Sequence, residues 1–265
     1  MDKSPETIPP KEFSLKIFAK TEANFQHPEI NEDAIAFDQK DGWAVLLDGM
    51  GGLDAGDKAS KMAKDVIVKR ISRIKENTDP DKARQEMVKS FNDASEQVRK
   101  KIPRSGTTAV ALKIVGRQRK VAVIASVGDS RAYIFRDENL RQITEDDSVI
   151  SLVDRERFDE TDGSDIDLKY DYADFSRRNQ ITQYLGSNRE LDCHLYEEEL
   201  MEGDKIILTS DGVHDNLRTS EIRQIVGSES EIGEELVKAA LERSKDNLIR
   251  SKPDDVSVVV MELKR

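Results

Sequence analysis

Apolar and polar positions alternate with a period of two through 13–20, where Phe13, Leu15 and Ile17 are separated by polar residues, and this predicts a strand. Residues 34–38 and 42–47 are apolar runs either side of the turn-like QKDG, so they predict a hairpin. The period then lengthens to that of a helix. Ala63, Ile67, Ile71 and Ile74 fall on one face of a helix over 56–75. A second helix over 80–101 has Asp79 as its N-cap, Pro80 at its first position and a buried face of Met87, Phe91, Ala94 and Val98. Three β-rich runs follow, 107–115, 120–127 and 131–136, and their short polar links predict an antiparallel meander. After a polar stretch of weak periodicity come a strand at 205–210, helices from Ser220 and over 231–246, and a last strand at 256–263. No internal repeat is visible. Strands grouped with strands and helices arriving in pairs predict an α+β fold of antiparallel sheets covered by helical hairpins.

Composition narrows the function classes. The net charge of −11 argues against nucleic acid as the main partner, because phosphate backbones select basic surfaces. No window approaches the roughly 18 uninterrupted apolar residues of a membrane span, and the start lacks the apolar run of a secretory signal. Residues 1–12 are expected to form a disordered tail ahead of a single domain over 13–265, in a cytoplasmic protein. Cys193 is the only cysteine and His27, His194 and His214 the only histidines, which leaves neither a disulfide nor an imidazole-rich zinc site. The charge is uneven: 145–176 holds twelve acidic and three basic residues, a local balance of −9, so the rest of the chain is nearly neutral.

The candidate chemistry lies at strand edges, in four segments: NEDA (31–34), DGMGG (48–52), SDGV (210–213) and DDVSVVV (254–260). In the second and third an apolar strand runs into Asp and then Gly. The strand fixes the carboxylate at a rigid sheet edge, and the glycine admits a close backbone approach or a strained turn. Carboxylates held this way suit hard divalent cations. One such Asp-Gly alone is simply a turn; the set, in this order, says more.

That set resembles the type 2C, or PPM, family of metal-dependent serine/threonine protein phosphatases from about residue 13 to 263. The matching segments are NEDA, LLDGMGG, SGTTAV, SVGDSRAYI, EDDSVISLV, RNQITQYLG, ILTSDGV and PDDVSVVV. The resemblance implies a β-sandwich of two antiparallel sheets flanked by antiparallel helical pairs, a four-layer αββα arrangement. It implies Mg2+ or Mn2+ at one end, as two ions with a third, weaker position. Asp48 would bridge the two ions and the Gly49 carbonyl would bind one of them, with Asp211 and Asp254 completing the other's shell. Glu32 and Asp33 match an acidic pair at or near the centre, and Asp129 would join Asp211 at the third position. Such ions lower the pKa of a bound water and clamp phosphoryl oxygens, so phosphoserine or phosphothreonine could be hydrolysed without a protein nucleophile. The implied partners are phosphoproteins of a Ser/Thr kinase pathway.

The chain departs from the pattern in places. Pro28 stands where many relatives have a phosphate-gripping arginine, so Lys20 and His27 become candidate phosphate contacts. Met50 replaces a histidine proposed to assist the leaving group and cannot do acid–base work, which leaves the general acid undetermined. Asp255 replaces an asparagine found in many relatives, adding charge beside Asp254. Residues 145–186 match the family's flap beside the active site, expanded and acidic over 156–176, with Tyr170, Tyr172 and Phe175 read as flap packing. The competing function is a pseudophosphatase, a regulatory binding module without turnover. Loss of the arginine favours it slightly, and retention of Asp48, Asp211 and Asp254 opposes it.

Overall fold

The alternation inside a strand decides what each face of it touches. In β3 (Trp43–Met50), Trp43, Val45 and Leu47 pack on one side with the helices α1 (Ala55–Ile71) and α2 (Pro80–Lys101). Ala44 and Leu46, on the opposite side, enter a second apolar layer. The computed structural model describes residues 14–50, 55–116, 119–150, 152–161, 175, 177, 179–228, 231–248 and 250–264. The expected tail at 1–12, and Tyr170 and Tyr172, lie outside the described residues.

Two antiparallel sheets result. One has the order β2 (Asp33–Asp38), β3, β5 (Ala109–Val115), β6 (Lys120–Val127), β9 (His194–Leu200), with the short β4 (Gly106–Thr107) also paired to β3. The other runs β1 (Ser14–Glu22), β11 (Val256–Lys264), β10 (Lys205–Thr209), β7 (Arg131–Arg136), β8 (Asn139–Gln142). Between them lies the layer of Leu46, Leu112, Ile124, Ile134, Leu208 and Val259. On the outer face of the second sheet, Val256, Val258 and Val260 meet Ile222 and Val226 of α5 (Thr219–Gly227) and Leu236 and Val237 of α6 (Ile232–Arg243). The layers are therefore helix, sheet, sheet, helix. Each fully buried Leu, Ile, Val or Phe contributes roughly 1.5–3 kcal/mol, so the three apolar layers hold the fold together. Among the described residues no helix is long and apolar enough to cross a membrane.

The expected meander is corrected by the sheet order. β5 and β6 pair, but β7 belongs to the other sheet, between β10 and β8. The link 128–130 carries the chain across the sandwich, with Gly128 at φ 96°. A side chain there is excluded twice over, since a Cβ would also lie 2.7 Å from Thr108 Cγ2. Two strands carried no clear sequence signal, and both are edge strands. β8 follows a tight turn in which Asp137 and Glu138 both have positive φ, geometry usually announced by Asn-Gly. β9 reads HLYEEEL, and its acidic residues suit an edge that must not pair further. Within the flap, the acidic run contains a helix, α3 (Leu152–Glu160), and Phe175 is buried edge-on against Phe158, with ring centroids 5.2 Å apart.

Candidate active site

The strand registers bring the candidate carboxylates to one end of the sandwich. Asp33 opens β2 directly opposite Asp48 in β3. Thr209, the last residue of β10, faces Arg131 at the start of β7 and Val258 near the start of β11. The residues just outside those ends are Asp129, Asp211 and Asp254. Strand direction thus sets Asp33 beside Asp48 in one sheet and Asp129, Asp211 and Asp254 at one end of the other.

Hydroxyls then pin the segments together. The Asp48 amide donates to Thr108 Oγ1 (3.1 Å), while its carbonyl accepts from Thr107 Oγ1 and the Thr108 amide, both at 2.8 Å. Thr108 Oγ1 also meets Ser130 Oγ at 2.6 Å, tying Asp48 to the turn that carries Asp129. Ser210 Oγ accepts from the Ser257 amide, and Ser257 Oγ meets Thr21 Oγ1 at 2.7 Å. Asp211 begins a single helical turn, α4 (Asp211–His214), rather than ending a strand. Its neighbour Gly212 passes so close to the chain before β11 that a Cβ would lie 2.0 Å from the Asp255 carbonyl oxygen.

The gathered carboxylates resist ionisation. Burial, then the charges of Asp211, Asp33, Asp254 and Asp129, push Asp48 well above the usual carboxylate range. Asp129 is raised by burial and then by Asp211 and Asp146, with Lys252 and Arg155 opposing. Asp33 is raised mainly by burial; the Ser257 hydroxyl opposes, and Asp255 and Asp254 add to the rise. Neither Asp33 oxygen has a hydrogen-bond partner of good geometry, and Asp211 Oδ1 is equally buried and unpartnered. The Ser257 and Ser210 hydroxyls lie near enough to ease the Asp33 charge. Asp211 is pushed up to about 6, by burial first, against the pull of Lys252.

Buried carboxylate oxygens without partners, in groups that repel one another, are what a divalent cation would satisfy. The carboxylates are not drawn to ligation distance, however: among the described residues no group of three or more Asp, Glu, His or Cys stands ready to hold one ion. Lys252 supplies the positive charge instead. Its Nζ donates to Asp211 Oδ2, to Asp254 Oδ2 at 2.8 Å and to Asp215 Oδ2 at 3.2 Å. Sequence reasoning missed Lys252 and Asp215. The four-residue spacing from Asp211 to Asp215, one helical turn, was the available signal for the second.

Other expected residues sit differently. Gly49 belongs here because a Cβ would lie 2.3 Å from the Gly56 carbonyl oxygen and 2.6 Å from that of Glu32. The Glu32 side chain rests at the start of α1: a Cβ on Gly56 would lie 2.4 Å from its Oε1. Burial raises its pKa, with Asp255 adding and the Gly56 amide opposing. Asp255 accepts from the amides of Asn24 (2.8 Å) and Glu32 (2.7 Å), so it braces the loop before β2 while its charge still reaches Asp33. Lys20 is held by Glu234 (2.7 Å) and Glu22 (3.5 Å), and the structure does not bring it to the carboxylates. His27 is exposed in the loop near Asp255. The flap's acidic side chains are partly internal: Asp146 and Asp159 pair with the fully buried Arg131 at 2.7 and 2.9 Å. Asp147 accepts from the Gly128 amide at 2.8 Å.

Comparison with known proteins gives a match to the family model described as Protein phosphatase 2C over residues 20–252. That span holds Asp33, Asp48, Asp129 and Asp211 and ends just short of Asp254. The chain is 29% identical over 235 residues to the serine/threonine phosphatase stp of Listeria monocytogenes, covering 82% of this chain and 87% of that one. The Mycobacterium tuberculosis serine/threonine phosphatase PstP/Ppp superposes with a TM-score of 0.74 at 26% identity, over 95% of this chain and 99% of that one. A PstP catalytic domain described in complex with 2 manganese ions gives a TM-score of 0.74 at 25% identity, over 96% and 100% of the two chains.

Proposed function

Because this chain belongs to the protein phosphatase 2C family and is a serine/threonine protein phosphatase, we propose that its catalytic centre is the carboxylate cluster of Asp33, Asp48, Asp129, Asp211 and Asp254, loaded with Mn2+ or Mg2+. The observation that carries this reading is the gathering of these groups from separate segments into one region, with Asp33, Asp129 and Asp211 buried and oxygens of Asp33 and Asp211 left unpartnered. In this reading Asp48 and the Gly49 carbonyl, with Asp211 and Asp254, hold two ions, Asp33 supports them, and Asp129 with Asp211 serves a third, weaker position. When bound, such ions would activate water and neutralise phosphoryl charge. The chain's own part is to fix the carboxylates: Thr107 and Thr108 clamp the Asp48 backbone, and Gly212 lets α4 approach the segment of Asp254. No side chain is needed as nucleophile. The pseudophosphatase alternative gains no support from the relatives, which carry the names of phosphatases.

The substrates are phosphoserine and phosphothreonine proteins, and we infer a preference for basic residues beside the phosphosite. Residues 145–176 carry −9 of the chain's −11; Arg131 offsets part of this through Asp146 and Asp159, and Glu145, Glu156 and Glu160 stay exposed. Such a field repels a bare anion and attracts Lys or Arg around it. The opposing enzyme would be a Ser/Thr kinase acting on basic motifs. Turnover of a phosphopeptide with Mn2+, after chelation, and after Mn2+ is restored tests the central claim. Activity lost with chelator and regained with metal is expected, whereas full activity in excess chelator ends the metal reading.

A further inference from the structure

The ammonium of Lys252 lies between two of the carboxylates assigned above to a metal ion. It bonds Asp211 Oδ2 and Asp254 Oδ2, and it bonds Asp215, which that assignment leaves out. We propose that Lys252 is a built-in counter-cation that competes with one metal ion for Asp211 and Asp254, so that metal loading expels its side chain and Lys252 sets the metal requirement of the enzyme. This rests on the reading of Asp211 and Asp254 as metal ligands.

The backbone around Lys252 makes the competition specific. Its amide donates to Asn216 Oδ1 and its carbonyl accepts from Asn216 Nδ2, both at 2.9 Å. Pro253 follows and restricts the Lys252 backbone further. Asn216 also donates to the Gly212 carbonyl at 2.9 Å, which locks the lysine to the turn that carries Asp211. With its main chain held, Lys252 reaches the carboxylates through side-chain torsions alone, so expulsion is a swing of one flexible side chain and not a movement of the loop. Asp215 is where that swing can end. It is buried, already 3.2 Å from Nζ, and its other oxygen faces Arg155 of the flap helix at 3.5 Å. Three carboxylates, those of Asp211, Asp254 and Asp215, surround Nζ and hold the side chain there as an ion pair. A monovalent ammonium and a divalent ion cannot share the same two oxygens without severe repulsion. Each must weaken the other's binding.

The test measures Mn2+ binding by calorimetry on the full chain, comparing wild type with Lys252→Met and with Lys252→Gln, whose amide can still donate to Asp215. Melting temperatures are taken with and without Mn2+. Competition predicts Mn2+ bound more tightly by on the order of tenfold in both variants, a lower metal-free melting temperature, and a larger rise on adding Mn2+. If Lys252→Met does not fold without metal, Lys252→Gln supplies the comparison. Equal or weaker Mn2+ affinity in both variants, with wild type binding normally, overturns the proposal and leaves Lys252 as a plain ion-pair partner. Wild type failing to bind Mn2+ at all would instead strike the underlying assignment of the centre.

Discussion

At Gly49 a single added methyl group would meet backbone on two sides, at 2.3 Å from Gly56 and 2.6 Å from Glu32. Neither obstacle is a flexible side-chain tip. Relief therefore requires α1 or the loop before β2 to move, and both frame the cluster. Gly49→Ala is expected to lower stability by about 1–3 kcal/mol, the usual scale of overpacking, and to reduce turnover more than a matched change at Gly227, where a Cβ would meet nothing closer than 3.4 Å. Chemical denaturation and phosphopeptide assays check both. Asp211→Asn acts in another way. It removes one of several mutually repelling charges but also one of the three carboxylates that pair with Lys252, so metal-free stability should change little while turnover falls at least about a hundredfold and the Mn2+-induced rise in melting temperature shrinks. A large loss of metal-free stability would contradict the view that this carboxylate serves an ion and not the fold.

At the scale of elements, the flap helix α3 is docked by charge. Arg131, buried in β7, is shared between Asp146 and Asp159, and Arg155 of α3 reaches Asp146 at 3.0 Å. Arg250 adds hydrogen bonds from its guanidinium to the carbonyls of Phe158, Thr161, His214 and Leu217, joining α3 to α4. This gives the arginine of the GDSR motif a physical role, that of counter-charge to the flap. Removing one member of a buried ion network leaves its partners uncompensated, at a cost of about 3–5 kcal/mol. Arg131→Met should show that loss in urea unfolding, and amide exchange should speed up over 152–160 more than in β5 or β6. Unchanged exchange in α3 would mean that apolar packing, such as Phe158 on Phe175, suffices to dock it.

For the whole molecule, the raised carboxylates fix the sign of the pH response without metal. A group whose folded pKa is raised binds its proton more tightly when folded, so its stabilisation is present at low pH and lost as pH rises through the folded pKa. Asp33, Asp48, Asp129 and Asp211 all behave this way. Buried His214, with its pKa pushed down by burial, opposes them by at most one proton below its ordinary range. The metal-free melting temperature is therefore expected to rise as pH falls from about 7.5 to about 5.5, and saturating Mn2+ should flatten or reverse the trend. A metal-free protein that loses stability over that interval would contradict the clustered-carboxylate picture. The acidic flap calls for a separate measurement, kcat/KM for matched basic and neutral phosphopeptides at low and high salt. Basic peptides should be preferred, less so at high salt, because exposed charges are screened over about 8 Å at physiological ionic strength. Neutralising Glu156 and Glu160 together with Asp162 and Asp165 should reduce that preference while sparing a small aryl phosphate.

The sequence by itself determined the elements whose signals are local. The cap of Asp79 and Pro80, the 3.6-residue stripe of Met87, Phe91, Ala94 and Val98, and the apolar strands before Asp48 and Asp211 reappear in the structure because each lies within a few residues of chain. It also marked the family, since the carboxylate segments keep their order and chemistry along the chain. Sheet membership was settled only by tertiary structure: a link as short as 128–130 looks the same whether it closes a hairpin or crosses a sandwich, and the apolar layers on either side choose. The electrostatics were settled there too. Asp146 and Asp159 look like a solvated acidic run until Arg131 and Arg155 arrive from β7 and α3, and Asp255 looks like a metal neighbour until the Asn24 and Glu32 amides claim it. Lys252 is one of many lysines in the sequence. It becomes the cation of the site only because Asn216 and Pro253 aim its side chain at carboxylates more than thirty residues away along the chain as well as at the one beside it. A charge acts through distance and solvent, and both are properties of the folded molecule.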